Sequence, residues 1–514
     1  MAATVLTIEA IPDELFWLAP DSELKQVLDS ALDMLRRTPA ILTRIDEDRD
    51  VVGLAKKQRR RADAQWQAAL TGCFPELTWP QASEELQAKE RPLEQGRPRM
   101  PAEVVYVFFV LQGYLGSVTD RRARDLLLES RTLNGYLQCR GLPFPGWTTI
   151  LENVNALSVA TRSFILDAQL AMIREDELDD FSKAIVDSTA AQAHSAWPTD
   201  GGMLLGLLRR AFRASQKLED FGLGNVPKHW VPRWLKKLQR LHFRINTASG
   251  KPHATRKRKK YYRQLLEEAE KILNYLLAEC SGRDPVAEVT DLPPSRQKLL
   301  ARLWAGLQDD LIHACAVCHY TAERIFEDRQ RPAKEKLLSL GDPSAAYIEK
   351  GGRQAVIGYK PQLARSGHGF VTALIVSEGN DADSTQLTPV VEQIQQRTGV
   401  KPQDITTDDG YAVKALRDQL LEEGIEHVYF CGSKAKAFTP EEEWDNPAYQ
   451  EARRGRSAVE SLVFVLKFLF GFGRLRRWGL EAVQAEFLQK VIAHNFYRMV
   501  LLRHQAQAAA GKAA

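Results

Sequence analysis

Apolar residues recur at helical spacing over most of the chain, and short apolar runs of the kind found in strands interrupt this pattern. The clearest amphipathic helix covers residues 264–277, where apolar residues return every three or four positions. Helices are also expected at 388–397 and 412–423. Strand-like runs lie at 184–187, at 354–363, at 369–377, in the segment that ends at Asp408, and at 426–431.

The elements follow one another as a strand, a long helical stretch, two strands, a helix, a strand, a helix, a strand and a helix. Without the long helical stretch, this is the order of the ribonuclease H-like fold. We therefore predict an α/β RNase H-like catalytic core, with a mixed five-stranded sheet and helices, that carries a large helical insertion after its first strand. A helical DNA-binding region is expected on its N-terminal side.

Composition divides the chain further. A stretch rich in Pro and Gly at 91–101 is typical of a linker. The short helices and tight turns that follow fit a helix-turn-helix unit, and a plain helical bundle is the alternative. The predicted parts are a helical N-terminal region of unassigned role at 1–95, a helix-turn-helix-like DNA-binding region at 96–180, a catalytic domain at 181–195 and 336–503, a basic helical insertion at 196–335, and a disordered tail at 504–514.

Three acidic residues occupy places in this order where chemistry is expected. Asp187 follows the first strand-like run, Asp408 ends a later one, and Glu460 lies on a late helix. Two aspartates and a glutamate brought together by folding offer the hard oxygen ligands that Mg²⁺ prefers, with Mn²⁺ as a substitute. We therefore predict that Asp187, Asp408 and Glu460 are both the metal ligands and the catalytic residues.

Other acids compete for these roles. Asp409 adjoins Asp408 and is its main rival, because neighbours at a strand end point to opposite faces and only one can serve directly. Asp383 and Asp342 lie near expected strands, where we interpret them as solvated loop acids.

The segment around Glu460 is an apolar helix that we expect to be buried. At about 100° per residue, Arg456, Glu460 and Lys467 fall within an arc of roughly 40°. Such a charged stripe on an apolar helix indicates a charged partner, and Arg456 and Lys467 would grip DNA phosphates beside Glu460. The alternative is a structural ion pair between Arg456 and Glu460, four residues apart.

The insertion contains the densest basic run. Seven of the thirteen residues at 251–263 are Lys or Arg, and tyrosines stand among them. Basic side chains mixed with aromatic ones suit phosphate contact and base stacking, whereas a charged loop between helices is the alternative. The predicted DNA-binding residues here are Arg256, Lys257, Arg258, Lys259, Lys260, Arg233, Lys236 and Lys237.

Bulk properties narrow the class of protein. The net charge of +4, from 70 basic and 66 acidic residues, does not by itself require a nucleic-acid partner. Six cysteines in 514 residues do not suggest a disulfide framework. We interpret Cys315 and Cys318 as buried core residues on one helix, rather than as zinc or haem ligands together with His319. No secretion signal or membrane-spanning run is recognisable, so a cytoplasmic protein is expected.

Several motifs resemble those of DDE-type transposases of bacterial insertion sequences. Asp408-Asp409-Gly410-Tyr411 is similar to the Asp-x-Gly-Tyr around the family's second acid, which favours Asp408 over Asp409. Arg456-x₃-Glu460-x₆-Lys467 matches three members of the family's Tyr-x₂-Arg-x₃-Glu-x₆-Lys signature, while Arg453 stands where the tyrosine is expected. The segment at 331–339 resembles the ISNCY group in particular.

This resemblance implies a DNA transposase, a Mg²⁺-dependent polynucleotidyl transferase and endonuclease that binds insertion-sequence ends and catalyses strand cleavage and strand transfer. The implied partners are double-stranded DNA, as terminal inverted repeats and target, and further copies of the chain in a homodimer or larger assembly. The implied location is the bacterial cytoplasm, at the nucleoid when DNA is bound. The alternatives are a metal-dependent nuclease without strand transfer and a sequence-specific DNA-binding regulator.

Overall fold

The computed structural model describes residues 23–73, 99–195, 197–223, 230–248, 253–289, 291–349 and 354–513. Parts of the predicted N-terminal region, most of the predicted linker and Lys251 of the basic run lie outside the described residues. The chain forms two compact units. The first comprises Met1–Val52, Arg99–His194 and Ser344–Ala514, and the second Gly53–Pro98 and Ser195–Pro343.

The N-terminal half of the first unit is helical. Its third helix is apolar on every side and buried along most of its length, as expected for a helix surrounded by others. Thr119, Ser130 and Ser158 each begin a helix by accepting a hydrogen bond from a backbone N–H three residues ahead. The helices are α1 (Glu23–Arg37), α2 (Ala40–Cys73), α3 (Ala102–Tyr114), α4 (Asp120–Glu129), α5 (Arg131–Gln138), α6 (Trp147–Ala156) and α7 (Val159–Glu175). Helix α2 belongs to the first unit only as far as Val52.

Two short strands then precede the helices of the second unit, which share an apolar core of their own. Thr199 begins the first of these helices, and an ion pair of 2.6 Å joins Asp200 near its start to Arg324 on the last. The elements are β1 (Lys183–Ser188), β2 (Ala191–Gln192), α8 (Asp200–Glu219), α9 (Trp230–Thr247), α10 (Ala254–Cys280), α11 (Pro285–Glu288) and α12 (Pro294–Phe326).

The C-terminal part of the first unit alternates strands and helices. Its last helix continues through most of the residues for which we expected a disordered tail. The elements are β3 (Ala346–Ile348), β4 (Val356–Tyr359), β5 (Gln362–Ser366), β6 (Val371–Ile375), α13 (Asp383–Thr398), β7 (Asp404–Asp408), α14 (Lys414–Glu422), β8 (His427–Cys431), α15 (Ser433–Phe438), α16 (Glu441–Trp444), α17 (Pro447–Gly455), α18 (Ser457–Phe468) and α19 (Leu480–Ala513).

The central sheet has five strands in the order β6-β5-β1-β7-β8. Strand β1 is antiparallel to β5 and parallel to β7, and β7 is parallel to β8. The predicted mixed five-stranded sheet is therefore confirmed. One of its faces packs on a core that includes Val186, Ile405 and Phe430.

The expectation of a single strand over 354–363 is wrong. Strand β4 belongs to a second, three-stranded sheet of order β2-β4-β3, whereas β5 belongs to the central sheet. Pro361 lies between them, and a proline has no N–H to donate to a continuing ladder. The chain therefore changes sheets at that point.

Helix α19 is tied to the sheet and to α3 by buried amide side chains. Asn495 accepts a hydrogen bond from the N–H of Val371 at 2.9 Å and donates one to its carbonyl at 3.0 Å, so it completes the bonding of β6. Gln489 donates to the carbonyl of Phe109 on α3 at 2.8 Å. No side chain is tolerated at Gly113, where a Cβ would lie 2.7 Å from the carbonyl oxygen of Gln489.

Within the described ranges, no single helix combines the length and apolar character needed to cross a membrane. Helices α6 and α7 reach that length and composition only as a pair, and they meet at a bend of 81°.

Replacing Asn495 with alanine would leave the N–H and the carbonyl of Val371 without their buried partner. We expect the free energy of unfolding to fall by about 1–3 kcal/mol, the typical penalty for an unsatisfied buried polar group. Urea unfolding and hydrogen exchange at the Val371 amide would measure it. The control is Asn380→Ala, which removes one exposed bond of 3.3 Å. Equal stability of the two variants would contradict the proposed tie between α19 and β6.

Candidate active site

The parallel pairing of β1 with β7 aligns two of the three predicted acids. Ile185 pairs with Thr406, so the same register two residues later sets Asp187 beside Asp408 at the ends of both strands. Adjacent strands lie about 4.8 Å apart, and residues two apart share a face. Both carboxylates therefore lie on the sheet face opposite Val186 and the buried core.

Backbone N–H groups orient both carboxylates. Asp187 is 8% exposed, and its Oδ1 accepts a hydrogen bond of 2.7 Å from the N–H of Ser188. The Oδ1 of Asp408 accepts one of 2.9 Å from the N–H of Gly410. These contacts hold the side chains at the strand ends.

Tyr411, which is fully buried, lies within range of this negative charge. Burial, and then the negative charges of Asp383, Asp187 and Asp408, raise the pKa of its phenol well above the ordinary value. The phenol therefore stays protonated and donates a hydrogen bond to the side-chain oxygen of Gln362. Tyr411 is thus an uncharged hydrogen-bond donor within electrostatic range of three carboxylates.

Asp383 belongs to this group, so its interpretation as a solvated loop acid is wrong. Its side chain is 13% exposed and forms an ion pair of 3.0 Å with Lys360. Burial acts to raise the pKa of Asp383, but hydrogen bonds from Gln362 and Lys360 outweigh it and lower that pKa. A Cβ at Gly410 would lie 2.9 Å from Asp408 Oδ1 and 3.1 Å from Asp383 Oδ2, so a side chain there would displace at least one of the two carboxylates.

Sequence reasoning missed Asp383 because its burial depends on residues that are distant in the chain. The available signal was its place at the first position of a helix that follows a strand. Asp342, in the second unit, is also fully buried, and its interpretation as solvated is likewise wrong.

Asp409 has a structural role. Its carboxylate accepts hydrogen bonds from the N–H groups of Lys434 and Ala435, at 3.1 and 3.2 Å, at the start of α15. Although burial opposes the shift, these bonds lower the pKa of Asp409. At Gly432 a Cβ would fall 2.1 Å from the Asp409 carboxyl carbon, so the backbone approaches this carboxylate closely. Because the Asp409 carboxylate binds these N–H groups, Asp408 is the better candidate for a metal ligand.

Glu460 lies in the first turn of α18, a helix that packs against β1. Its side chain is 55% exposed and forms an ion pair of 2.6 Å with Arg456, the pairing that the sequence offered as an alternative. The expectation that this helix is buried is wrong, because among its apolar residues only Val459, Leu462 and Leu466 are buried. Phe464 and Phe468 are instead exposed.

Arg456 connects this helix electrostatically to the ends of the strands. Burial raises the pKa of the Cys431 thiol to about 11, and the positive charges of Arg456 and Arg453 oppose that rise. Cys431 pairs with Asp408 across β7 and β8. Arg456, which pairs with Glu460, therefore also lies within electrostatic range of Cys431, the strand partner of Asp408.

The three predicted ligands fit a hard divalent cation by donor chemistry, since all are carboxylates. In the described part of the chain, no three acidic, histidine or cysteine side chains are already arranged to hold a metal. Asp187 and Asp408 are aligned, whereas Glu460 is held by Arg456. An exposed pair of this spacing contributes only about 0.3–0.5 kcal/mol, so separating Glu460 from Arg456 costs little.

A mixed sheet with carboxylates at the ends of two adjacent parallel strands is the arrangement expected of an RNase H-like nuclease or transferase. The family model described as the transposase DDE domain matches residues 312–496, which include Asp408 and Glu460. The chain therefore carries a DDE-type transposase domain with an RNase H-like core, an enzyme domain whose substrate is DNA. The match does not distinguish the ISNCY group. Searches of curated proteins and of solved structures found no match.

The predicted DNA-binding residues of the second unit lie on two helices that pack against each other, α9 and α10. All of them are exposed except Arg258, which is half-buried. Lys237 has a protein partner, because it forms an ion pair of 2.8 Å with Glu268. The others are Arg233 and Lys236 on α9, and Arg256, Lys257, Arg258, Lys259 and Lys260 on α10.

The interpretation of the cysteine pair is correct for one member. Cys318 packs against the core of the second unit, and burial raises the pKa of its thiol to about 12. Cys315 is exposed, so its interpretation as a core residue is wrong. His319 lies 3.2 Å from Glu323.

The lowered pKa of Asp409 predicts a pH-dependent effect of Asp409→Asn. The folded state binds the Asp409 proton less tightly than the unfolded state, whose ordinary pKa is 3.8. The wild type should exceed the variant in free energy of unfolding by about 0.5–1 kcal/mol above that pH, and the difference should vanish as the pH falls below it. Urea titrations between about pH 2.5 and 6 would measure this. A difference that grows in acid would contradict the assigned contacts.

Proposed function

We propose that this transposase binds the ends of an insertion sequence and performs metal-dependent strand cleavage followed by strand transfer. The observation that carries the proposal is the alignment of Asp187 with Asp408 at the ends of β1 and β7, beside a transposase DDE domain match. Asp187 lies outside the matched residues, and the strand pairing brings it to the matched Asp408.

In this mechanism Asp187, Asp408 and Glu460 would hold the metal, Mg²⁺ or Mn²⁺, which would supply activation of the attacking oxygen and stabilisation of the leaving one. The other residues position these three. Asp409 fixes the strand end by binding α15, and Tyr411 remains a neutral donor behind the carboxylates. With Glu460 as a metal ligand, the Arg456 guanidinium would be available to a DNA phosphate as a two-pronged donor, and Lys467 lies about two turns beyond Glu460 on the same stripe.

The basic start of α10 supports DNA contact by the second unit. Arg256, Lys257, Arg258, Lys259 and Lys260 fill the first two turns, and no acidic residue occurs in the first turn. Cations at a helix N-terminus oppose the helix dipole, by about 0.3–1 kcal/mol each. These cations therefore destabilise the start of their own helix. Binding to a polyanion such as the DNA backbone would explain why they are there.

The division into N-terminal, DNA-binding, catalytic, insertion and tail regions is retained as part of the proposal. Helices α3–α7 would contribute recognition of the terminal repeats, since phosphate contacts alone carry no sequence information. We also propose that two or more copies assemble in the bacterial cytoplasm, because two DNA ends must be joined to one target.

Conservative changes of the three acids test the assignment. Asp187→Asn, Asp408→Asn and Glu460→Gln should each lower Mg²⁺-dependent cleavage of terminal-repeat DNA by more than about 100-fold, the upper range for loss of a ligand's outer-shell partner. DNA binding should persist, because the proposed phosphate contacts are made by basic side chains and not by these three acids. Gel assays of cleavage and binding would measure both.

Asp418→Asn, at an exposed position on α14, is the matched control, because it removes a carboxylate of the same unit without removing a proposed ligand or a residue that positions one. Cleavage by Asp187→Asn or Glu460→Gln at the wild-type rate would refute the assigned residues. If the wild type cuts but never joins strands, the protein is a nuclease. If it binds the repeats and does not cut with either metal, it is a DNA-binding regulator.

Neutralising the start of α10 tests DNA contact by the second unit. Replacing Arg256, Lys257, Lys259 and Lys260 with glutamine should flatten the plot of log affinity against log salt by roughly one unit per lost phosphate contact. Fluorescence anisotropy at several salt concentrations would measure the slope. Arg36→Gln, at an exposed position on α1, is the control. An unchanged slope in the glutamine variant would remove this helix from the DNA interface.

A further inference from the structure

Lys360 is a lysine that is largely withdrawn from solvent beside the candidate metal site. Its side chain is 12% exposed, and its ammonium group contacts the Asp383 carboxylate at 3.0 Å and the carbonyl oxygen of Asp381 at 2.8 Å. Removing an ammonium group from water costs free energy unless it is paired. The position of Lys360 is therefore explained by the two oxygens that it binds, of which only the carboxylate is charged.

Asp383 is connected to the end of the strand that carries Asp187. Its Oδ1 accepts a hydrogen bond of 2.9 Å from the Gln362 amide, and Gln362 pairs with Ser188 where β5 runs antiparallel to β1. A side-chain hydrogen bond also joins Ser188 to Asp383. The backbone N–H of Ser188 holds Asp187 Oδ1, so Asp383 is linked to the residue that orients the first acid.

Asp383 also lies close to the end of the strand that carries Asp408. One oxygen of each carboxylate lies near the same point, 2.9 and 3.1 Å from where a Cβ of Gly410 would be, so these two oxygens are no more than 6.0 Å apart. Negative charges at that separation repel each other. Lys360 binds the other oxygen of Asp383 and thereby supplies the opposite charge.

We propose that Lys360 and Asp383 form a positioning pair for the metal site. Asp383 fixes the strand ends that carry Asp187 and Asp408, and Lys360 balances the negative charge that Asp383 adds there. The site then presents to a cation the charge of three acids rather than that of four. The inference rests on the proposed function, since it takes Asp187, Asp408 and Glu460 as the ligands. Asp383 acts through two of them and is not a ligand itself.

A plain structural ion pair is the alternative, and it leads to a different expectation. Lys360 lies between β4 and β5 and Asp383 begins α13, so their contact could do no more than fasten these elements together. Loss of either partner would then loosen the same corner of the fold and weaken metal binding alike. A charge-balancing pair has opposite effects instead, because one change leaves a carboxylate unbalanced and the other leaves an ammonium group unbalanced.

Mn²⁺ binding to the full chain without DNA separates these two roles. Free Mn²⁺ is followed by electron paramagnetic resonance, and the Kd of each variant is compared with that of the wild type. Lys360→Met should bind Mn²⁺ about 3- to 10-fold more tightly and Asp383→Asn more weakly by a similar factor, the order expected of one unit charge near a divalent ion in a water-like medium. The double variant Lys360→Met/Asp383→Asn should return to within about 3-fold of the wild type, because both charges are removed together.

The hold on the strand ends is tested at constant charge. Lys360→Met/Asp383→Ala has the same charge as the asparagine double variant, but it has no acceptor for Gln362 and Ser188. It should bind Mn²⁺ about 10- to 100-fold more weakly than the asparagine double variant, the usual cost of losing a group that orients a metal ligand.

Two matched controls come from the same unit. Lys183→Met removes an exposed lysine at the other end of β1 from Asp187, and it controls for the loss of a positive charge. Glu443→Gln breaks the ion pair with the half-buried Arg417, and it controls for the loss of a pair. Both should bind Mn²⁺ as the wild type does, and urea unfolding establishes that each variant is folded under the conditions of the measurement.

Three results would overturn the inference while the proposed function stands. Shifts of Lys360→Met and Asp383→Asn in the same direction would leave only a structural pair. Equal affinities of the asparagine and alanine double variants would remove the hold on the strand ends. A double variant that binds as weakly as Asp408→Asn would make Asp383 a ligand. If Asp187→Asn and Asp408→Asn bind Mn²⁺ as the wild type does, the proposed function fails first and the pair has no site to position.

Discussion

The parallel pairing of β1 with β7 is the constraint on which the candidate site depends. It joins a strand at residue 183 to one at residue 404, with all five helices from α8 to α12 between them in the chain. Because side chains alternate along a strand, a slip of one residue would turn Asp187 away from Asp408 and into the apolar core. Burial of Val186 and Ile405 on the other face opposes that slip. Hydrophobic burial thus fixes the register, and the register aligns the acids.

Residues 408–411 show how closely structure and chemistry are combined at this strand end. Each of the four has a separate contact. Asp408 accepts a hydrogen bond from the N–H of Gly410, Asp409 binds the start of α15, Gly410 leaves room between two carboxylates, and Tyr411 lies within electrostatic range of three. Because each residue makes a different contact, the Asp-x-Gly-Tyr motif has a physical basis in this structure. The glycine is required by a close approach of side chains, because its φ is not among the positive values.

Much of the central sheet could be predicted from sequence, because β1, β6 and β8 contain short apolar runs. Strand β7 has a single apolar residue, and its place between two expected helices indicated it instead. Strands β2 and β3 have two and three residues, too few to show a period. The burial of Asp383 and the exposure of Phe464 could not be predicted, since both depend on what packs against them. Composition marked α18 as apolar and therefore buried, whereas the fold leaves one stripe of it open. The three acids could be proposed because each stands at a recognisable place in the order of elements.

Asn495 has a consequence that reaches beyond the site. Strand β6 is an outer strand of the central sheet, and an outer strand offers free backbone groups to any other extended chain. By holding both groups of Val371, the Asn495 amide acts as a substitute for one residue of a sixth strand. Another extended chain that approaches this edge of the sheet therefore finds both backbone groups of Val371 already bonded. The edge is in this way protected, at one residue, against the sheet-to-sheet pairing that leads to aggregation.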